Sequence, residues 1–298
     1  MDGILNIYKE QGFTSHDVVA KLRGILRQKK IGHTGTLDPD AVGVLPVCLG
    51  KATKVCDMLT DKNKTYEAVL KLGVVTDTQD LTGAVLEEHP VTSTRDETEQ
   101  AVLSFVGPYA QIPPMYSALK INGKKLYELA REGKEVERKP RQVEIFSIQI
   151  EEIDMENAMV RMSVDCSKGT YIRTLCHDIG TKLGCGGAMA SLTRTKVSSF
   201  VLQESITLSE VEKFVEDGTI EEHVIKVDSL FASLEAVSVK AEFQKYVDNG
   251  NKLLASQLSS EILLQKEKEY RVYDAKKRFI GIFEAENRKS LKPKKMFI

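Results

Sequence analysis

The sequence predicts a mixed α+β protein that closes with a small β-rich domain. Three observations carry this. Apolar side chains alternate at 66, 68, 70, 72 and 74 and again at 160, 162, 164 and 166, the period of half-buried strands. They recur at helical spacing at Val18, Leu22, Ile25 and Leu26, and at Ile172, Leu175, Ile179 and Leu183. Near the end, the runs 270–273 and 279–283 flank 274–278 in the manner of a hairpin.

The elements follow in chain order. A helix is expected over 14–30, with Thr14 and Ser15 as candidate caps and Asp17 in the first turn. The stretch GHTGTLDPDAVGVLPVCLG (32–50) reads as loop. TYEAVLKLGVV is a strand whose core face begins at Tyr66, and 143–153 and 158–166 read as two more. SKGT makes the turn after them, so Tyr171 and Arg173 fall in the first turn of the next helix. Residues 113–141 differ from their surroundings, with two opening prolines, seven Lys and Arg up to Lys139, four Glu, and Tyr116 and Tyr127. They read as an inserted arm with one short helix, KKLYELAREG. From about Leu234 a new segment starts, with a short helix in AEFQKYVDNG ahead of the hairpin.

Composition bounds the function. With 298 residues, 42% hydrophobic and 29% charged, the chain has room for one large domain or two unequal ones. The opening MDGILNIYKEQG lacks a basic region followed by an apolar one, and no run has the roughly 18 apolar residues of a membrane span, so a cytosolic protein is expected. Five cysteines without a CxxC pair argue against a disulfide framework or a zinc site, and Asn63-Lys64-Thr65 without a secretion signal is a chance glycosylation match. The net charge of −1 gives no global pull on nucleic acid, but 18–37 and 287–296 are basic and free of acids. Motifs for nucleotide hydrolysis (GxxxxGK[ST]), dinucleotide binding (GxGxxG), zinc proteolysis (HExxH) and serine hydrolysis (GxSxG) are absent.

What remains is an aspartate in a stiff loop. Pro39 fixes its own φ and pushes Asp38 toward extended geometry, while Gly32, Gly35 and Gly43 allow close backbone approach. Locally, Asp38 serves either as a positioned carboxylate or as a loop cap through an Asx-type hydrogen bond, and the loop alone leaves both open.

The run KKIGHTGTLDPDAVGVLPVCLGKATK (29–54) resembles the signature of the TruB family of tRNA pseudouridine synthases, whose GHxGxLDP segment carries the catalytic aspartate. The likeness continues through KTYEAVLKLGVVTDTQDLTG (64–83), IPPMYSALKINGKKLYELAREG (112–133), CSKGTYIRTLCHDIGTKLG (166–184) and LTRTKVSSF (192–200). It implies an isomerase that detaches a uracil from its ribose, rotates it and rejoins it through C5, at position 55 in the T arm of tRNA. It further implies no cofactor, no metal, no obligate protein partner and a monomer.

Residue by residue, the resemblance makes Asp38 the nucleophile that forms a covalent adduct. Arg173 becomes the cation that pairs with it and favours its ionised form. Tyr66 becomes the aromatic that stacks on the target base near the C5 proton. Tyr171 and Leu192 line the pocket, His33 enters the T-loop fold where bases are extruded, and Lys54 and Asp80 lie near the bound RNA. Asp40 departs from the family pattern and is expected to point outward. The implied architecture is a mixed-sheet pseudouridine synthase catalytic domain over 1–233 with its RNA-binding arm at 113–141, then a PUA-like RNA-binding domain over 234–298. Three other readings stay open: a guide-RNA-dependent ribosomal RNA pseudouridine synthase, a non-catalytic tRNA-binding or folding factor, and a glycosidase-like hydrolase using Asp38 and a partner carboxylate.

Overall fold

The computed structural model describes residues 1–121 and 123–298; Asn122, inside the expected arm, lies outside the described residues. In chain order the strands are β1 (Gly3–Lys9), β2 (Ile31–His33), β3 (Val42–Leu49), β4 (Lys64–Leu72), β5 (Val74–Thr76), β6 (Val85–Glu88), β7 (Gly107–Gln111), β8 (Lys120–Ile121), β9 (Lys124–Lys125), β10 (Arg141–Asp154), β11 (Met159–Cys166), β12 (Gly187–Val197), β13 (Phe200–Val201), β14 (Glu235–Ser238), β15 (Leu253–Leu254), β16 (Glu269–Tyr273), β17 (Phe279–Asn287) and β18 (Ser290–Met296). The helices are α1 (Ser15–Ile25), α2 (Cys56–Thr60), α3 (Arg95–Leu103), α4 (Leu126–Arg131), α5 (Ile172–Lys182), α6 (Leu208–Glu216) and α7 (Gln244–Asp248).

A nine-stranded sheet runs β1-β3-β12-β4-β11-β10-β7, with β2 added to β3 and β13 to β12. Its ladders are antiparallel except where β12 meets β3 in parallel, pairing Thr193 with Val42 and Arg194 with Gly43. This parallel contact draws two segments distant in sequence to one point. Gly43 makes the approach possible: its φ is 107°, and a Cβ there would sit 2.3 Å from the Arg194 carbonyl oxygen. A five-stranded sheet, β14-β16-β17-β18-β15, closes the chain.

The alternation in β4 behaves as its pattern predicts, with Tyr66, Ala68, Leu70 and Leu72 buried against α5 in one apolar cluster. The C-terminal hairpin also forms, pairing Tyr270 with Phe283 and Tyr273 with Phe279. Other expectations are corrected. The stretch 32–50 is mostly strand rather than loop, leaving only 34–41 irregular. Val44, Leu45, Val47, Cys48 and Leu49 are fully buried because β3 is covered on both faces, so the run carries no alternation to read. The first helix stops at Ile25, not Lys30: no apolar position follows Leu26, Arg27 turns to φ 46°, and Arg23 Nε donates to the Lys29 carbonyl at 3.1 Å. The arm's helix is confined to α4, and the β8–β9 hairpin takes up the residues before it. In AEFQKYVDNG only 244–248 is α-helix, after one 3₁₀ turn.

Candidate active site

The loop 34–41 hangs between β2 and β3 and is anchored from three directions by buried polar side chains. Ser15, in the first turn of α1, accepts the Leu37 N–H at 2.9 Å. Lys9, at the end of β1, donates from Nζ to the Pro39 carbonyl at 3.0 Å and to the Glu10 carbonyl at 3.1 Å. The Gly12 N–H reaches the same Pro39 oxygen at 2.9 Å. Arg194, on β12, donates from Nε to the Val44 carbonyl at 2.7 Å and from its terminal nitrogens to those of Gly35 at 3.4 Å and Thr36 at 3.5 Å. Ser15, Lys9 and Arg194 are at most 1% exposed. Lys9 and Arg194 are therefore buried cations whose donors satisfy main-chain carbonyls, an arrangement that fixes the loop because each carbonyl would otherwise be desolvated without a partner. The sequence pointed to neither residue.

Asp38 projects from this anchored loop. Its carboxylate meets Arg173, with Nε to Oδ2 at 3.0 Å. The guanidinium is itself held, donating from Nη1 to the Thr78 carbonyl at 3.0 Å and from Nη2 to that of Tyr116 at 2.8 Å. Asp80 flanks it, 3.7 Å from Nη1 through Oδ2. The other Asp80 oxygen accepts from the Thr82 N–H at 3.0 Å and from the Thr78 and Thr82 hydroxyls, which orients the carboxylate. Arg173 thus ties together the Asp38 loop, the turn after β5 and the base of the arm.

Burial pushes the Asp38 carboxyl above the ordinary aspartate value; Arg173 pulls it down and the Asp80 charge adds to the rise. The side chain is 42% exposed, so water and substrate reach it from the mouth while protein surrounds it below. The resemblance implied the lowering by Arg173; desolvation outweighs it. Asp40 is exposed, as expected, and the second carboxylate near Asp38 is Asp80.

The expected pocket residues assemble around this pair. Leu37, Tyr66, Ile172 and Leu192 belong to one apolar cluster. Tyr66 is 7% exposed, opposite Arg194 across β4 and β12, and burial pushes its phenol up to about 12, so the ring stays neutral. Tyr171 caps α5, and the buried Gln111 amide grips its backbone from both sides, accepting its N–H at 2.7 Å and donating to its carbonyl at 2.9 Å. His33 lies at the end of β2 in a separate cleft of about 550 Å³ that it lines with His16, Arg23, Lys29 and Lys30. Burial lowers its imidazole pKa, which favours the neutral ring. Lys54 is not part of the assembly: its Nζ donates to the Met296 carbonyl at 2.9 Å and the Ile298 carbonyl at 3.2 Å, fastening the C-terminal end to the turn after β3. Among the described residues, no group of His, Cys, Asp and Glu is placed to hold a metal ion, and no helix is long and apolar enough to cross a membrane.

The likeness to known proteins extends over the whole chain. Residues 23–172 match the family described as TruB family pseudouridylate synthase, N-terminal domain, and residues 173–237 the tRNA pseudouridylate synthase B C-terminal domain. The chain is 55% identical to tRNA pseudouridine synthase B of Lachnoclostridium phytofermentans over the whole of both proteins. It is 50% identical to that of Alkaliphilus oremlandii, over 94% of this chain and 92% of the relative. Among solved structures, a Cbf5-Nop10-Gar1 complex contains a chain that superposes with a TM-score of 0.72 at 28% identity, covering 99% of this chain and 85% of that one. An H/ACA RNP bound to a substrate RNA containing 2'-deoxyuridine gives the same score and coverage at 26% identity. The blocks around Asp38, Tyr66 and Arg173 are thus the local expression of a likeness that runs the length of the molecule, and the chain belongs to the TruB family of pseudouridylate synthases.

Proposed function

We propose that this protein converts uridine to pseudouridine at position 55 in the T loop of tRNA, with Asp38 as the nucleophile. The observation that carries the reading is the Asp38–Arg173 pair at the tip of a loop held by buried donors. A carboxylate placed in advance needs no reordering when substrate arrives. Its pKa, raised by burial, makes the ionised form a stronger nucleophile, while Arg173 keeps that form populated. The reaction breaks the bond from N1 of uracil to C1′ of ribose and forms one from C5; the proton leaving C5 is balanced by one gained at N1. The product is an isomer of the substrate, and no external oxidant or group donor is required.

In this reading the target base leaves the T-loop stack and enters the pocket, where the Tyr66 ring packs on it beside Tyr171 and Leu192. His33, a neutral imidazole at the mouth of the basic cleft, occupies space the extruded bases leave. Asp80 acts by orienting Arg173. The catalytic domain spans 1–233, the arm at 113–141 folds over the RNA, and a PUA-like module over 234–298 adds RNA contacts. The enzyme works as a monomer in the cytoplasm, without cofactor or protein partner.

A guide-RNA-dependent activity is the second reading, because chains from H/ACA complexes share the fold. The stand-alone reading is favoured by relatives at 50–55% identity named tRNA pseudouridine synthase B. Incubating the purified protein alone with an unmodified tRNA transcript and mapping pseudouridine decides between them. Conversion at position 55 without added RNA or protein is expected; conversion only after a guide RNA is supplied would establish the second reading, and release of free uracil would establish hydrolysis.

A further inference from the structure

The basic cleft beside His33 contains a feature that uridine isomerisation does not use. Cys56, the first residue of α2, lines its wall and is partly exposed. Cys48, on β3, is fully buried and directly opposite Gly32 in the β2–β3 ladder. Residues opposite one another in such a ladder carry their Cβ atoms on one face, roughly 4.5–5.5 Å apart. Gly32 has no Cβ, and one built there would lie 3.2 Å from the Cys56 Sγ. The Cys56 sulfur therefore fills the space of the missing side chain, on the face Cys48 shares. Both cysteines pack in one apolar cluster, and the neighbouring Cys48 thiol holds Cys56 below the ordinary thiol range while Cys48 itself is raised.

We propose that Cys56 and Cys48 form a peroxide-reactive dithiol, with Cys56 the attacking thiol and Cys48 the resolving one. Burial and the adjacent Asp57 oppose the Cys56 thiolate and Lys295 favours it, with the net direction downward; Arg23, Lys29 and Lys30 line the same accessible cleft, a setting of the kind reactive cysteines occupy. The remaining cysteines, Cys166, Cys176 and Cys185, are buried, and burial pushes the first two thiols up to about 12. In the first step the Cys56 thiolate attacks one oxygen of a hydroperoxide; the O–O bond breaks, the other oxygen leaves as alcohol or water after taking a proton, and Cys56 becomes a sulfenic acid. In the second, the Cys48 sulfur attacks the Cys56 sulfur, the S–O bond breaks, and the Cys48 proton departs with the hydroxyl as water. Two thiols are oxidised and one peroxide is reduced. The resulting disulfide joins β3 to the first turn of α2 across Gly32, one residue before His33.

The test uses the full-length, folded protein without RNA, so its outcome is independent of the isomerase reading. The protein is treated with a small excess of hydrogen peroxide, alkylated under denaturing conditions, digested and mapped by mass spectrometry. A cross-linked pair of peptides containing Cys48 and Cys56, reversed by a reducing agent, is expected while Cys166, Cys176 and Cys185 remain alkylatable. Cys48→Ser, which removes the resolving thiol, should accumulate a dimedone adduct at Cys56; should that variant fail to fold, the wild-type map alone decides. Cys48 and Cys56 both remaining free thiols, or Cys56 advancing to sulfinic acid with no cross-link, overturns the proposal.

Discussion

The loop at 34–41 and the arm at 113–141 are built in opposite ways. The loop has no regular secondary structure, yet its carbonyls and amides meet Ser15, Lys9 and Arg194, all at most 1% exposed. The arm has a hairpin and a helix, yet its ion pairs face solvent: Glu132, 42% exposed, meets Lys134 at 2.8 Å and Lys124 at 3.6 Å, their side chains 62% and 58% exposed. Exposed pairs of this kind contribute about 0–1 kcal/mol, whereas a buried carbonyl left unpaired costs about 1–3 kcal/mol. The irregular loop is thus held by buried polar anchors, and the regular elements of the arm carry surface ion pairs. Under the proposed function the carboxylate is placed before substrate arrives, and the arm is the segment that adjusts to RNA.

Among the side chains that hold the carboxylate, Arg173 carries the largest expected effect. Arg173→Met removes the cation from Asp38 and the donors from the Thr78 and Tyr116 carbonyls, so turnover at saturating tRNA should fall by about two orders of magnitude or more. The accompanying melting loss should be several degrees, at about 1–3 kcal/mol per stranded carbonyl. Full activity recovered by assaying the variant well below its melting point would make Arg173 structural.

Arg194→Met breaks the comparison from the loop side. Its loss frees Gly35 and Thr36 but also removes a buried charge with no carboxylate partner, so the two stability terms oppose each other. Turnover should fall by roughly tenfold while tRNA affinity holds, as expected when a reacting group is misplaced. A drop in affinity with unchanged turnover would show that the loop does not need this anchor.

The pH profile sharpens the same point with opposite signs. In the proposed reaction Asp38 acts as the anion, and burial holds its carboxyl above 3.8, so the acid limb of kcat/KM should lie above that pH. Asp80→Asn removes a like charge and should move the limb down; Arg173→Met removes the opposing cation and should move it up. Asp38 also binds its proton more tightly folded than unfolded, so its contribution favours the folded state at low pH and is lost as pH rises through the raised value. Shifts of the limb in the same direction in both variants would contradict the assigned geometry.

The smallest effect belongs to the arm. Replacing 121–138 by a short glycine linker should weaken tRNA binding and flatten its salt dependence, by about 0.7–0.9 in log–log slope for every phosphate the arm neutralises. Slow turnover at high RNA concentration should survive, because Asp38, Tyr66 and Arg173 lie outside the deletion. Salt titrations of both proteins check this; equal affinities and slopes would move phosphate binding to the cleft lined by Arg23, Lys29 and Lys30.

How much of this was legible in the sequence depended on how far apart the interacting residues lie along the chain. β4 and α5 could be read because one face of each meets the core and the other does not. β3 could not, because it is apolar on both faces. Asp38 and Arg173 were reachable through motif resemblance, while their supports were not: Ser15 meets Leu37 across 22 residues, Lys9 meets Pro39 across 30, and Arg194 meets Thr36 across 158. No local pattern announces that a lysine or arginine will be buried against carbonyls. The acceptors of Lys54 were equally out of reach, 242 and 244 residues away at the end of the chain.

The central claim is that a carboxylate fixed in advance performs the chemistry, and Asp38→Asn tests it most directly. The amide keeps the size of the side chain and removes the nucleophile. Pseudouridine formation in an unmodified tRNA transcript should fall to background even with enzyme in excess of RNA, while tRNA binding and melting temperature stay close to wild type. Retention of more than a small fraction of wild-type pseudouridine by a correctly folded Asp38→Asn protein would contradict the account.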